Sequence, residues 1–337
     1  MEIAKPYLLF LGDVQDELAA KTAHGIVDWR PDWCVGQNRL EGCKADCHIA
    51  DLSIQDAAAK GAKTMIVGVA NAGGVLPDHW VTAIVEAIEA GMNIATGLHK
   101  RLSSIPAIAE AAQRKGVKLH DVRFSDMTFA TGKGTKRKGK RLLTVGTDCS
   151  VGKKYTALAM EKGMRDAGLN ADFAATGQTG VFISGRGLAL DAVIADFISG
   201  AAEWVCPAHE DENHWHVVEG QGSLFHPSFA GVTLGLLHGA QPDAFIVCHE
   251  PTRTKMRGVE HALPTIGQVI ELTIANGKLT NPNIQCTGIA INTEHLDEAT
   301  ALKLLADTSA EYGLPAADPI RTGVGPLVDE IIKRFGK

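Results

Sequence analysis

The sequence predicts an α/β protein of two parallel-sheet domains, an N-terminal Rossmann-like domain and a C-terminal P-loop NTPase-like α/β domain. Three observations carry this. Short apolar runs alternate with helical patterns along the chain. A basic, glycine-rich stretch interrupts the alternation before its midpoint. Directly after it comes a strand–loop–lysine–helix signature, Val145-Gly146-Thr147-Asp148-Cys149-Ser150-Val151-Gly152-Lys153-Lys154-Tyr155-Thr156.

In the N-terminal part, Tyr7-Leu8-Leu9-Phe10-Leu11 reads as a buried strand ending at Gly12-Asp13, and Glu17 to Lys21 as helix. Thr64 to Val69 is a second strand. The loop Asn71-Ala72-Gly73-Gly74-Val75-Leu76-Pro77 then leads into an amphipathic stretch from His79 to Ala90. Asn93 to Gly97, Ile105 to Lys115 and Val117 to Val122 read as strand, helix and strand. No G-x-G-x-x-G follows the first strand, which leaves nicotinamide dinucleotide binding with little support.

The run Gly132-Lys133-Gly134-Thr135-Lys136-Arg137-Lys138-Gly139-Lys140-Arg141 is too charged and glycine-rich to form a core. It marks the expected boundary: a Rossmann-like domain over 1–131, a basic linker over 132–140 and a P-loop domain over 141–337. A solvated linker is the favoured reading of the run, and a phosphate-contacting arm the alternative. Beyond it, Asp172 to Thr176 reads as strand, Asp191 to Ile198 as helix, and His214–Glu219, Ala244–Cys248 and Gly288–Ile291 as strands. Their ends are polar: Thr176-Gly177-Gln178-Thr179, Glu219-Gly220-Gln221-Gly222, His249-Glu250-Pro251 and Asn292-Thr293. Ligands of parallel sheets lie at strand C-terminal ends, so these clusters are expected to meet the lysine loop at one site.

Composition narrows the function. A chain of 337 residues has room for two cores, and 45% hydrophobic content with 36 glycines suits an enzyme with many strand–helix turns. A net charge of −6 argues against a nucleic-acid binder. No apolar run approaches the ~18 residues of a membrane span, and the first residues lack the basic and apolar regions of a signal peptide. The expectation is a cytoplasmic protein without membrane partners. Of the seven cysteines, Cys206, Cys248 and Cys286 sit in apolar surroundings and read as reduced and buried. Cys43, Cys47 and His48, with Cys34 nearby, match no common zinc spacing and read as a loop with unpaired thiols. No bound metal is expected.

The loop itself, Gly146, Thr147, Asp148, Cys149, Ser150, Val151, Gly152, Lys153, Lys154, Tyr155 and Thr156, is the expected cofactor-binding segment. Glycines turn backbone N–H groups toward an anion, and a helix N-terminus and Lys153 add positive charge. Where a Ser or Thr ordinarily follows the lysine and holds Mg²⁺, this chain has Lys154. Thr156 lies two residues further on. Adjacent lysines suit a ligand bound, rather than cleaved, at its phosphates, so Mg²⁺ is not expected to be required.

Among groups that could do chemistry, Glu219 stands where P-loop proteins carry their second acidic motif, where a carboxylate could hold Mg²⁺ or act as base toward an amine. His226 could share its site by proximity or equally be a surface histidine, and His249 ends another strand beside Glu250. Gln178, Thr179, Gln221, Glu250, Arg253, Lys255 and Arg257 are the expected substrate-binding residues, the cations suiting an anionic ligand. His209, His214 and His216 cluster among acids and allow a metal-site reading, with a polar loop entering a strand favoured over it.

Gly146 to Lys153 resembles the P-loop of dethiobiotin synthetase, and Val218-Glu219-Gly220-Gln221-Gly222 resembles its downstream acidic-glycine motif. Over the whole chain, Asn71-Ala72-Gly73-Gly74, Thr176-Gly177-Gln178-Thr179-Gly180, Glu219 through Pro227 and Cys248-His249-Glu250-Pro251 resemble a two-domain bacterial and archaeal family long of unknown function. Its characterised members are D-glutamate N-acetyltransferases that use acetyl-CoA in D-amino acid catabolism. The resemblance implies that coenzyme A phosphates occupy the loop, that D-glutamate is the amine substrate, that Glu219 is the first candidate for the base with His226 and His249 behind it, and that Lys153 or backbone N–H groups stabilise the oxyanion. A homo-oligomer is the expectation for such a metabolic enzyme. An ATP-dependent ligase or kinase of the dethiobiotin synthetase type, or a nucleotide- or coenzyme-binding regulatory module, are the alternatives.

Overall fold

The computed structural model describes residues 2–69, 76–124 and 127–336; Asn71-Ala72-Gly73-Gly74 lies outside them. Two compact units emerge, Met1–Met127 with Gln178–Ala192, and Thr128–Gly177 with Val193–Lys337.

In the first unit the elements are β1 (Tyr7–Gly12), α1 (Lys21–Trp29), β2 (Cys34–Arg39), α2 (Ile54–Ala59), β3 (Thr64–Val67), α3 (Trp80–Glu89), β4 (Asn93–Thr96), α4 (Pro106–Lys115) and β5 (Leu119–Asp121). The strands form one parallel sheet in the order β2-β1-β3-β4-β5. Every residue of β1 is buried, as its unbroken apolar run demands of a strand covered on both faces. Helix α3 buries Trp80, Ala83, Ile84, Ala87 and Ile88, a stripe at helical spacing. Pro106 opens α4, and Gly116 closes it in the left-handed region at φ 67°. Strand β1 ends at a carboxylate: Asp13 Oδ1 accepts the Trp80 indole N–H at 2.7 Å. That group is ill suited to a pyrophosphate.

The second unit contains β6 (Lys140–Gly146), α5 (Lys153–Asp166) and β7 (Ala171–Ala174). The next helix, α6 (Gln178–Ser184), belongs to the first unit. The second unit resumes with α7 (Ile198–Val205), β8 (Trp215–Val218), α8 (Ala230–Ala240), β9 (Ala244–His249), α9 (Ile266–Gly277), β10 (Gln285–Ile291), α10 (Glu298–Tyr312), β11 (Ala316–Ala317) and α11 (Gly325–Phe335). Its sheet is parallel throughout, in the order β11-β10-β9-β6-β8-β7. The strand feeding the lysine loop, β6, therefore lies between β9 and β8, and their C-terminal ends flank the loop.

Three sequence expectations change, and one strand, β2, is not among the expectations. Residues 178–192, expected in the C-terminal domain, pack with the first unit. There the Gln178 amide nitrogen donates to Gly97 O at 2.6 Å and its oxygen accepts from Arg123 Nε at 3.0 Å, and Ile3 N donates to Gly185 O at 2.8 Å. The basic run is solvated only in part: Lys133, Gly134, Thr135, Lys136 and Lys138 are exposed, whereas its two arginines turn inward. Arg137 donates to Gly239 O at 2.8 Å and Gln241 Oε1 at 2.9 Å, while buried Arg141 donates to the carbonyls of Arg137, Lys138, Gly139 and Pro207 at 2.8–2.9 Å. A guanidinium's five donors satisfy loop carbonyls that no ladder reaches. Asp191 to Ile198 is not one helix. Leu190–Ala192 and Ala195–Phe197 are single 3-10 turns, and the chain leaves the first unit between them, so its apolar residues never share a face. Strand β2 has no apolar signature, because its buried Gln37 is satisfied by Asp46 Oδ1 at 2.7 Å and by the Cys47 N–H at 2.9 Å.

No helix among the described residues is long and apolar enough to cross a membrane.

Candidate active site

The lysine loop is shaped by its glycines and by one strained serine. A Cβ on Gly146 would lie 2.7 Å from Val151 Cγ2, so only glycine lets the loop fold back on its own strand. Ser150 and Gly152 adopt φ of 54° and 102°, in the left-handed region. Helix α5 then starts at Lys153 and aims its N-terminus at the loop. Lys153 is buried and folds over the loop, donating from Nζ to Asp148 O at 2.7 Å. Burial pushes its ammonium below the ordinary lysine range, which favours an anion beside it.

One flank of the loop is held by a polar brace. Asp148 is fully buried: Oδ2 accepts from Arg253 Nη1 at 2.8 Å and from Arg257 N at 2.7 Å, and Oδ1 from Cys149 N at 2.6 Å. Arg253 also donates to Cys149 O at 2.7 Å and Ser150 O at 3.2 Å, and Arg257 Nη1 to Ser150 Oγ at 2.6 Å. Glu250 stands 3.5 Å from Arg253 Nε. Burial would raise its carboxyl, but hydrogen bonds from Thr252 and the charge of Arg253 outweigh that and hold it low. His226 is buried in the same brace, with Nδ1 accepting the Ser228 N–H at 3.2 Å and Nε2 donating to Arg257 O at 3.0 Å. Both ring nitrogens are thus engaged, which removes the lone pair a base needs. Asp148, Cys149 and His226 bring potential ligand atoms within 4.8 Å of one another. The three donors on Asp148, two of them from arginines, make that cluster a brace for an anion loop rather than a cation site.

The other flank is acidic. Glu219 follows β8 and is buried, its Oε2 accepting the N–H groups of Thr176 (3.1 Å) and Gly177 (3.0 Å). Burial raises its carboxyl above the ordinary range; the charge of Lys154 opposes this more strongly than either backbone bond. A Cβ on Gly220 would fall 1.7 Å from Thr144 O and 3.0 Å from Lys153 Cδ, so β8 and β6 meet here through bare backbone. Gly220 N donates to Thr144 Oγ1 at 3.0 Å. Gln221 Nε2 donates to Thr176 Oγ1 at 3.1 Å.

At the end of β9, His249 Nδ1 lies 3.1 Å from Thr147 Oγ1 in the loop. Burial pushes its imidazole below the ordinary histidine range, so it is neutral at physiological pH.

The structure thus gathers Glu219, Gln221, Lys153, Lys154, His249, Glu250, Arg253, Arg257 and His226 around the loop, and not the others. Lys255 pairs with Glu260 on the surface. Gln178 and Thr179 belong to the first unit, where Thr179 Oγ1 lies 3.5 Å from Thr22 Oγ1. His209, His214 and His216 stand at the start of β8, the opposite end of the sheet from the loop, as rings packed on one another at 3.9 and 4.6 Å. Sequence reasoning missed Thr144, while Thr147 stands in the loop as expected. Thr144 is a polar residue near the end of an otherwise apolar strand, a signal available but not used.

Known proteins match this chain along almost its whole length. Residues 128–328 match "Domain of unknown function (DUF1611_C) P-loop domain", and residues 37–125 match "Domain of unknown function (DUF1611_N) Rossmann-like domain". The chain is 51% identical to a D-glutamate N-acetyltransferase of Pseudoalteromonas sp, over 97% of this chain and 99% of that protein. It is 49% identical to another of Tritonibacter scottomollicae, over 98% and 99%. A crystal structure of a DUF1611 family protein from Anabaena variabilis superposes with a TM-score of 0.84 at 30% identity, covering 98% of this chain and 100% of that one. The chain belongs to the DUF1611 family, in which a Rossmann-like domain precedes a P-loop domain.

Proposed function

We propose that this chain is a D-glutamate N-acetyltransferase, moving the acetyl group of acetyl-CoA to the amine of D-glutamate. The observation that carries this is identity of about half over almost the full length of two proteins bearing that name. The loop fits the donor's chemistry. Coenzyme A carries a pyrophosphate and a 3′-phosphate, and here Lys153 and a helix N-terminus stand at a loop braced by Arg253 and Arg257.

In this reading the amine nitrogen of D-glutamate attacks the thioester carbonyl, forming the N–C bond. The tetrahedral intermediate then expels the coenzyme thiolate, and the proton released from the amine ends on that sulfur. A base must take the proton first. We give this role to His249. Burial favours its neutral form, and in the tautomer that donates Nδ1–H to Thr147 Oγ1 the Nε2 lone pair is the one that would take the proton. Glu219, the first candidate from sequence, has one oxygen committed to two N–H donors and stands in the field of Lys154. It serves better as the countercharge of the loop lysines than as a base. His226, with both nitrogens bonded, holds Arg257 and the turn at Ser228. Exposed Arg257, beside the loop, is the cation best placed for a substrate carboxylate.

The test is thiol release from acetyl-CoA with D-glutamate, L-glutamate or no amine. D-selective release is expected. Release of ADP from ATP with Mg²⁺ and an acid, without thiol release, would overturn the assignment in favour of a ligase or kinase.

A further inference from the structure

The P-loop fold implies a Mg²⁺ ion, held by the hydroxyl after the loop lysine and by the acid that ends the neighbouring strand. The residues present do not fit that ion. Lys154 stands in the hydroxyl's place. The next candidate, Thr156, faces the wrong strand: its Oγ1 accepts from Cys248 Sγ of β9 at 3.4 Å in the protein interior. Residues two apart on a helix point about 200° from each other. With Thr156 turned to β9, Lys154 is turned to β8, the strand that ends at Glu219. The other hydroxyls of the loop are also engaged, Thr144 Oγ1 with Gly220 N at 3.0 Å, Thr147 Oγ1 with His249 at 3.1 Å and Ser150 Oγ with Arg257 at 2.6 Å.

We infer that Lys154, paired with Glu219, takes the place of the divalent cation, so that this loop binds phosphate without metal and Lys154 is what makes it metal-independent. An ammonium supplies one positive charge on a covalent tether where Mg²⁺ would supply two. Buried Glu219 needs one countercharge, and its second oxygen-binding demand is met by the Thr176 and Gly177 N–H groups. The inference rests on the loop being the coenzyme's phosphate site, as in the proposed function.

The experiment is calorimetric titration of the full chain with coenzyme A and with inorganic pyrophosphate, in EDTA and in excess Mg²⁺. Wild type should bind both equally well in the two conditions. Lys154→Thr restores a hydroxyl beside Glu219. It should lose about tenfold in affinity in EDTA, roughly one charge–phosphate contact, and regain most of it with Mg²⁺. Lys154→Arg, which keeps the charge and guards against a folding defect in the threonine variant, should remain indifferent to EDTA. Wild-type binding that needs Mg²⁺ would overturn the inference. So would a threonine variant as tight as wild type in EDTA, or one weakened equally with and without the ion. Metal-independent binding without D-glutamate-dependent thiol release would remove the acetyltransferase assignment and leave Lys154's role intact. Thiol release with Mg²⁺-dependent binding would do the reverse.

Discussion

Arg253 donates from Nη1 to Oδ2 of Asp148 at 2.8 Å, although 105 positions separate them. The carboxylate is fully buried and the guanidinium partly exposed, and the same arginine holds the carbonyls of Cys149 and Ser150. The segment after β9 is therefore a structural part of the lysine loop. Two of the three cations expected to bind substrate, Arg253 and Arg257, shape the loop proposed to hold the cofactor.

Breaking this brace from one side should be costly, because it strands a charge. Asp148→Asn is expected to lose about 3 kcal/mol in urea denaturation and to weaken coenzyme A binding together with stability. Arg253→Met, whose site is reached by water, should lose less. Full stability with Asn at 148 would show that the pair contributes nothing.

The base assignment separates two variants. His249→Gln should lower kcat about 10²–10⁴-fold while leaving coenzyme A binding within about twofold. Glu219→Gln should act mainly on the KM for acetyl-CoA by unbalancing the lysines. The opposite pattern would return the base role to Glu219. His226→Gln should show chiefly as lost stability.

Acid should destabilise the second unit before it titrates ordinary carboxylates. Burial, with His214 and Arg141 adding, holds His216 at about 3 against an ordinary 6.5, and burial also lowers His214. Below pH 6.5 the unfolded chain takes up a proton at His216 that the folded chain refuses. Stability is therefore full above 6.5 and falls as pH drops toward 3, by about 1.4 kcal/mol per unit for that residue. Urea midpoints measured across this range should slope accordingly, and His216→Gln should flatten the slope. An unchanged slope in the variant would place the proton uptake elsewhere.

Gly220 admits no side chain. Gly220→Ala would set a Cβ 1.7 Å from Thr144 O, a backbone atom of the neighbouring strand. Loss of more than about 3 kcal/mol, or failure to fold, is expected, beyond the usual range for overpacking. Gly231, where an added Cβ meets nothing within 4 Å, is the control site.

A test of the neutral imidazole comes from the pH profile of kcat/KM. With His249 below the ordinary histidine range, the acid limb should fall below pH 6.5 and vanish in the residual activity of His249→Gln.

The sequence by itself determined the two parallel sheets, the glycine-and-lysine loop after β6 and the acid at the end of β8. These depend on local order: apolar runs such as Tyr7 to Leu11 can only be buried strands, and the turn from Gly146 to Lys153 encodes its own conformation in glycines and a lysine. The strand ends at Glu219 and His249 were legible for the same reason. Only the tertiary structure decided what the charged side chains do. Arg253 and Arg257 look alike to Lys255 in sequence, yet two grip the loop and the third pairs with Glu260 on the surface. Arg137 and Arg141 read as a solvated run but hold carbonyls from distant segments. His226 looks like a base until both nitrogens are seen to be bonded, and residues 178–192 change units through contacts with Gly97, Arg123 and Ile3. A long polar side chain satisfies its hydrogen bonds wherever the fold brings partners, and those partners lie tens of residues away, so no local pattern announces them.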